Sequence, residues 1–227
     1  MSFKHFMKEL GGEHIEGEII TSVFVSLLSS FLILAVLYAV KLRFIDNFMS
    51  KYSFFLLLAV ISYAFVMPTI RHVRAFKDWL CMPGMMIGMT TGMIAGFLPG
   101  FYVASTNGMF IGSVFGMLIG ILLGIWNGKC CGIMGVMEGV MAGFMGGLMG
   151  AMTAFMLLND HLRISTIIVS GIGVSILIML YYMMHLETKE VKRESKESYA
   201  LIIVVSIILT VITTWLMVLG PRSGVFG

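Results

Sequence analysis

Charged side chains are scarce in this chain. Asp, Glu, Lys and Arg make up 12% of its 227 residues, whereas a soluble domain carries about 25%. Hydrophobic residues make up 59%, and the mean hydropathy is +0.99. So few charges exclude an ordinary soluble domain, and the composition predicts an all-α integral membrane protein that sits in a lipid bilayer.

Catalytic and nucleic-acid-binding motifs are also missing. The sequence holds no HExxH motif, no Ser-His-Asp arrangement and no catalytic pair of carboxylates, so we expect no enzymatic activity. It holds no phosphate-binding loop or nucleic-acid motif either, and we expect no nucleic-acid partner. The net charge of +3 is therefore better explained by membrane topology.

Seven apolar runs are long enough to cross roughly 30 Å of hydrocarbon as helices. Between residues 83 and 158 the only breaks are Pro99, the turn at residues 105–108 and the stretch 127–129. The pattern therefore predicts a polytopic bundle of about seven transmembrane helices. The predicted spans are residues 19–40, 53–70, 83–104, 109–127, 131–158, 164–186 and 199–219.

Basic residues are divided unevenly among the predicted loops. The N-terminal tail is too charged for a signal peptide, so we expect the first span to be retained as an anchor. Loops on one side carry ten Lys and Arg and those on the other carry five, which predicts a cytoplasmic N-terminus and an external C-terminus. The ten are Lys4, Lys8, Arg71, Arg74, Lys77, Lys129, Lys189, Lys192, Arg193 and Lys196, and the five are Lys41, Arg43, Lys51, Arg163 and Arg222.

Glycine and methionine are concentrated in one block. Residues 81–160 hold 18 of the 26 glycines and 14 of the 22 methionines. This block is predicted to be a Gly/Met-rich core of three helices. Around it we predict a polar cytoplasmic tail (residues 1–18), two framing helices with a basic connector (19–80), and two more framing helices (161–227) with a charged loop (187–198).

Glycine recurs at every fourth position on three consecutive spans. Residues i and i+4 lie on one helix face, where small residues let two backbones approach closely and favour a right-handed crossing. The spacing predicts a central glycine zipper. The packing glycines are Gly84, Gly88, Gly92, Gly96 and Gly100 on the first of these spans, Gly108, Gly112, Gly116, Gly120 and Gly124 on the second, and Gly135, Gly139, Gly143 and Gly147 on the third.

Methionine stands beside many of these glycines, where leucine is scarce. One interpretation is that flexible thioethers fill irregular gaps next to glycine. Another is that a column of thioethers forms a low-affinity path for a soft monovalent cation such as Cu(I), because soft ligands select soft metals. The candidate thioether ligands are Met85, Met89, Met117, Met137, Met141 and Met145.

Three cysteines open the methionine-rich spans. By the predicted topology, Cys81, Cys130 and Cys131 all lie at cytoplasmic helix ends, where a reducing environment keeps thiols free. Adjacent cysteines rarely form a disulfide without strain, so Cys130 and Cys131 are more readily interpreted as a clamp for a soft metal. The alternative is that the three are small apolar residues at the interface.

One ionisable side chain, Glu138, is predicted to lie inside the membrane part of the block. It follows Cys130 by about 12 Å of helix, and Thr90 and Thr91 reach a similar depth. A carboxylate there costs at least about 2.5 kcal/mol unless it is paired, hydrated or protonated. Glu138 is therefore a candidate to neutralise a bound cation or to carry a proton, and the alternative is a hydrogen bond to Thr90 or Thr91.

The spacing of Met85 and Met89, together with Gly84 and Gly88, resembles the motif pattern of Ctr-type copper transporters. The resemblance covers one or two of about seven helices, and that family has three spans, so we do not assign the chain to it.

The sequence supports two functional hypotheses. One is a membrane carrier or metallochaperone for Cu(I); the other is a glycine-zipper scaffold that oligomerises or docks a membrane-protein partner.

Overall fold

The computed structural model describes residues 15–40, 52–75, 81–158, 160–188 and 199–221, and it contains no strand among them. Seven α-helices and one short 3-10 helix account for nearly all of these residues. The α-helices are α1 (Ile15–Val40), α2 (Ser53–Ala75), α3 (Cys81–Asn107), α4 (Met109–Gly128), α5 (Gly132–Met156), α6 (Leu162–Thr188) and α7 (Tyr199–Leu219); the 3-10 helix, Lys129–Cys131, joins α4 to α5.

Several predicted features fall outside the described residues. They include the tail before Ile15, the connector at residues 76–80, most of the charged loop at 187–198, and the side chain of Cys81. The predicted tail extended to residue 18, but α1 begins at Ile15. Residues 15–18 of the predicted tail are therefore helical.

Six helical segments of the described chain are long and apolar enough to cross a membrane. Five of them correspond to α1, α2, α3, α6 and α7. The remaining segment, Met109–Met156, is 48 residues long and contains α4, the 3-10 helix and α5. These two α-helices fold back on each other as an antiparallel hairpin. The chain is therefore a helical, multi-pass membrane protein by length and composition.

Pro99 does not interrupt the chain as the sequence predicted. It lies buried inside α3, which continues to Asn107. A proline inside a helix is tolerated in membrane proteins because neighbouring helices compensate for the hydrogen bond that its ring removes. Helix α3 ends at Asn107, and Gly108 joins it to α4 with a φ of 111°, a conformation that side-chain-bearing residues rarely adopt.

Helices α3, α4 and α5 form a compact unit whose interior is made of glycine backbone. The stripes of the three helices meet in layers, one of which consists of Gly96, Gly120 and Gly143. A Cβ atom added to Gly120 would lie 2.8 Å from both the Gly143 oxygen and the Gly96 Cα. The same register repeats one turn away, where a Cβ on Gly92 would lie 2.8 Å from the Gly139 oxygen. Helix α3 therefore runs parallel to α5, and α4 runs antiparallel to both.

Helix α2 connects this unit to the remaining helices through buried hydroxyl groups. The Tyr102 hydroxyl on α3 is 2.8 Å from Ser62 of α2 and 2.8 Å from Ser170 of α6. On the far side of α2, the Tyr63 hydroxyl is 2.9 Å from Thr213 of α7. Helix α1 packs against α2 and α7. The framing helices contact the three-helix unit mainly through α3. Among the described helices, only α3 and α4 pack along α5.

Candidate functional site

The predicted packing glycines other than Gly108 line the seams between α3, α4 and α5, whereas Gly108 joins α3 to α4. Along the α4–α5 seam, Gly128, Gly124, Gly120 and Gly116 meet Gly135, Gly139, Gly143 and Gly147 in turn. Along the α3–α4 seam, Gly88 approaches the Cα of Gly128, and Gly112 approaches Ala104. Gly84 instead faces the two cysteines of the 3-10 helix. In each case the neighbour is close enough that a larger residue would displace backbone or a short side chain.

The sequence analysis overlooked a second stripe on α5. Gly146 packs against the backbone of Met93, and Gly150 packs against the backbone of Phe97. Ala142 and Ala154 extend this stripe at the same four-residue spacing, and both are buried. The signal was present as small residues at 142, 146, 150 and 154. Helix α5 therefore faces α4 with one stripe and α3 with the other.

The methionines lie on the outside of this unit, and glycine forms its interior. Met141 is 69% exposed and Met89 is 48% exposed, whereas the stripe glycines next to them are buried. Met85 and Met117 are half-buried. The methionines therefore do not fill gaps beside the glycine seams, as one interpretation of the sequence required. Those exposed on α3 and α5 are Met82, Met86, Met89, Met93, Met134, Met137, Met141, Met145, Met149, Met152 and Met156.

Helix α4 provides an internal comparison for this surface. Its outer face carries Val114, Leu118 and Leu122, and the two leucines are about as exposed as Met141 and Met145 of α5. The register of the hairpin puts Leu118 level with Met145 and Leu122 level with Met141. Two neighbouring helices therefore expose different residue types at the same depth, so exposure alone does not account for methionine on α5.

We define the methionine strip as seven residues on one face of α5. Successive members are separated by four, three and four residues, and this spacing then repeats. The mean period is that of an 11-residue repeat, about 3.67 residues per turn, so the strip stays on one face of a nearly straight helix. Its members are Met134, Glu138, Met141, Met145, Met149, Met152 and Met156.

Two of the predicted thiols come together at the start of α3. A Cβ on Gly84 would lie 3.3 Å from the Cys130 sulfur and 3.4 Å from the Cys131 sulfur. Both cysteines are half-buried, and the Cys130 thiol donates a hydrogen bond to the carbonyl oxygen of Asn127 at 3.1 Å. Cys81 lies one turn before Gly84 on the backbone of α3. The 3-10 helix thus turns both sulfurs toward the first turn of α3.

Glu138 lies in the strip, near its thiol end, and is half-buried. The α3–α5 seam pairs Met93 with Gly146 and Phe97 with Gly150. Gly92 and Gly96 contact Gly139 and Gly143 of the same helix, α5, so Glu138 lies at a depth between those of Met85 and Thr91. On α3, sulfur-bearing side chains continue from the thiol end through Met85 and Met89 to Met93.

The predicted hydrogen bond between Glu138 and a threonine of α3 is not formed. Thr91 is fully buried and its hydroxyl donates to the Ile87 carbonyl oxygen of its own helix at 2.6 Å. No hydrogen bond joins Glu138 to Thr90 or Thr91, all three of which lie within the described chain.

The described side chains contain no cluster of three or more His, Cys, Asp and Glu residues placed to hold a metal ion. Thiols and thioethers, the sulfur groups carried by α3, the 3-10 helix and α5, are donors for soft ions. Searches of family models, curated proteins and solved structures found no match for this chain.

Proposed function

We propose that this protein is a membrane carrier or metallochaperone for a soft monovalent metal ion, Cu(I). One observation carries the proposal: the methionines are exposed on α3 and α5, on the edge that begins at Cys130 and Cys131. If methionine served only to face lipid, leucine would suffice, as it does on α4. Thioethers and thiolates bind Cu(I) in preference to hard cations.

The proposed path follows the outer edge of the three-helix unit. Backbone of the stripe glycines fills the axis between α3, α4 and α5, so an ion has no route along it. We propose that the thiols accept the ion and that Met85 and Met89 receive it next. Glu138 would offset its positive charge, which makes transfer into a region of low dielectric less costly.

The proposal includes a topology. If α4 and α5 each cross the bilayer, the chain has seven spans and its ends lie on opposite sides. The division of basic residues then favours a cytoplasmic N-terminus, and all three cysteines lie on the cytoplasmic side. That side is reducing, so the thiols stay available to a metal. We further propose that the protein performs no enzymatic chemistry.

Anaerobic titration with Cu(I) against a competing chelator tests the proposal. The purified protein should bind Cu(I) stoichiometrically, and a variant with Cys81→Ser, Cys130→Ser and Cys131→Ser should lose the tight component. A second variant, Met85→Leu with Met89→Leu, should bind more weakly than the wild type. Met179→Leu is the control, because Met179 is an exposed methionine that lies on α6. Equal binding by all four proteins would contradict the proposal.

A second candidate function is a scaffold that docks a membrane-protein partner. The closed glycine unit supports it, because a rigid support with an adaptable methionine surface suits protein binding. The two functions differ in what the sulfur atoms do. Replacing Met89, Met137 and Met141 together with leucine would preserve a docking surface of similar volume but would abolish transfer of Cu(I). A variant that still protects cells from copper stress would favour the scaffold.

A further inference from the structure

The glycine stripe of α3 begins in surroundings that its later members do not share. A Cβ atom added to any of the four stripe glycines from Gly88 to Gly100 would have only backbone atoms of α4 and α5 as its three nearest neighbours. A Cβ atom on Gly84 would instead meet three side-chain atoms, all of them from Cys130 and Cys131. Contact between helix backbones therefore accounts for the later glycines but not for Gly84.

The two cysteine side chains are held against the backbone of α3. The Cys130 sulfur is 3.1 Å from the carbonyl oxygen of Asn127 and 3.9 Å from that of Gly84. The Cys131 Cβ would lie 3.0 Å from a Cβ on Gly84 and 3.1 Å from one on Gly135, so glycines of α3 and α5 leave room for this side chain. The two sulfurs lie 3.3 and 3.4 Å from the position of a Cβ on Gly84.

This geometry determines what a side chain at position 84 would do to a bound ion. Metal–thiolate bonds are short, about 2.3 Å for Zn²⁺, so two sulfurs that share one ion must approach each other. The position of a Cβ on Gly84 is nearly equidistant from both sulfurs, and their approach therefore brings both closer to it. A methyl group there, already in tight contact with the sulfurs, would oppose the movement.

The charges near the cysteines suit a pair of thiolates. Two thiols lose two protons when they coordinate one Cu(I) ion, so the bound group carries one net negative charge. Cys131 is the N-cap residue of α5, and the partial positive charge of a helix N-terminus favours an anion. Lys129 precedes Cys130 on the same 3-10 helix and adds a positively charged side chain.

We propose that Gly84 is a positioning residue of the metal site, because its lack of a side chain lets the sulfurs of Cys130 and Cys131 close on one soft monovalent ion. The inference rests on the proposed function, since it concerns how the same thiols accept Cu(I). It divides the α3 stripe by task. The glycines from Gly88 onward allow the helices to pack, and Gly84 allows the two thiolates to share the ion.

Alanine substitutions at neighbouring turns of α3 test the inference. Gly84→Ala adds a methyl group beside the sulfurs, whereas Gly88→Ala adds one beside the backbone of Gly128. Gly171→Ala, on α6, adds one where nothing lies within 4 Å. The wild type and the three variants are titrated anaerobically with Cu(I) against a competing chelator. The Cu(I)–thiolate absorption and the thermal midpoint without metal are recorded on the same samples.

We expect Gly84→Ala to lower the Cu(I) affinity at least about tenfold and to weaken the Cu(I)–thiolate absorption. Its thermal midpoint should fall less than that of Gly88→Ala, because its methyl group meets side chains rather than backbone. Gly88→Ala and Gly171→Ala should bind Cu(I) as the wild type does.

The proposed function and the inference can fail separately. Wild-type binding of Cu(I) by Gly84→Ala would overturn the inference and leave the proposed function standing. An equal loss of affinity in Gly84→Ala and Gly88→Ala would also overturn it, because the loss would then follow from the helix seam. A wild-type protein that binds no Cu(I) would overturn both.

Discussion

The absence of a Cβ atom at the seam glycines sets how closely α3, α4 and α5 approach one another. The glycines at the seams have no Cβ, so backbone carbonyl and Cα groups of neighbouring helices come into contact. In a bilayer, lipid solvates apolar side chains as well as protein does, and close packing replaces the hydrophobic drive. Because the contacts involve backbone, an added methyl group cannot be accommodated by a change of rotamer.

Gly120→Ala should therefore destabilise the protein. Its Cβ would lie 2.8 Å from the Gly143 oxygen, and overpacking of this kind costs about 1–3 kcal/mol. The measurement is reversible unfolding in detergent. Gly171→Ala on α6 is the control, because nothing lies within 4 Å of a Cβ there, and alanine should be neutral or slightly stabilising. Equal losses at both sites would contradict this account of the seams.

Glu138 is the residue at which charge should matter to the proposed metal path. Glu138→Gln keeps the size of the side chain and removes its negative charge, so we expect Cu(I) affinity to fall roughly tenfold, about 1.4 kcal/mol. The control is Glu187→Gln, which removes one charge near the end of α6. If both variants bind Cu(I) as the wild type does, Glu138 takes no part in holding the ion.

In the α4–α5 hairpin, the inner faces pack through glycine, and the outer faces carry larger apolar side chains that differ between the two helices. Its two helices share one glycine register, so they face each other with the same kind of residue. Their outer faces differ, with Val114, Leu118 and Leu122 on one and methionine on the other. This division means that the outer methionines can be replaced without disturbing the seam that holds the hairpin together.

Replacing Met141, Met145 and Met149 together with leucine should leave the fold intact. Volume-conserving apolar substitutions usually cost less than about 1.5 kcal/mol even in a core, and these side chains are exposed. We expect an unchanged helical content and a thermal midpoint close to that of the wild type, measured by circular dichroism. A large drop in the midpoint would show that the strip is part of the structural core.

In the described part of the molecule, the framing helices pack against one side of the α3–α5 unit and not against the other. The framing helices reach it through α2 and through the hydroxyl of Tyr102, which joins Ser62 on α2 and Ser170 on α6. Among the described helices, none of the framing helices packs along α5, which lies on the opposite side. The described framing helices therefore cover one side of the unit.

Tyr102→Phe should weaken the attachment of the framing helices. It removes two hydrogen bonds at a fully buried position, each worth about 0.5–1.5 kcal/mol, without creating a large cavity. We expect a lower thermal midpoint and faster proteolysis of α6. Ser175→Ala, at an exposed position on α6, is the comparison and should behave as the wild type does. No difference between the two variants would mean that Tyr102 is not a structural link.

The positions of the helices and the faces that carry glycine could be predicted from the amino-acid sequence. Predicted spans such as residues 109–127 and 199–219 match α4 and α7 closely, because apolar length and helix-breaking turns are local properties. The four-residue glycine stripes were visible for the same reason. Pro99 was misjudged because its tolerance inside α3 depends on neighbouring helices, which local rules do not include.

The rotation of each helix about its own axis could be seen only in the tertiary structure. That rotation puts the methionines of α5 outside, brings Cys130 and Cys131 to Gly84, and buries the second stripe at Gly146 and Gly150. Residues on every face of a membrane helix can be apolar, so hydrophobicity does not mark the inward side. The rotation of each helix is set by backbone contacts among α3, α4 and α5 together. It therefore cannot be read from the sequence of one helix.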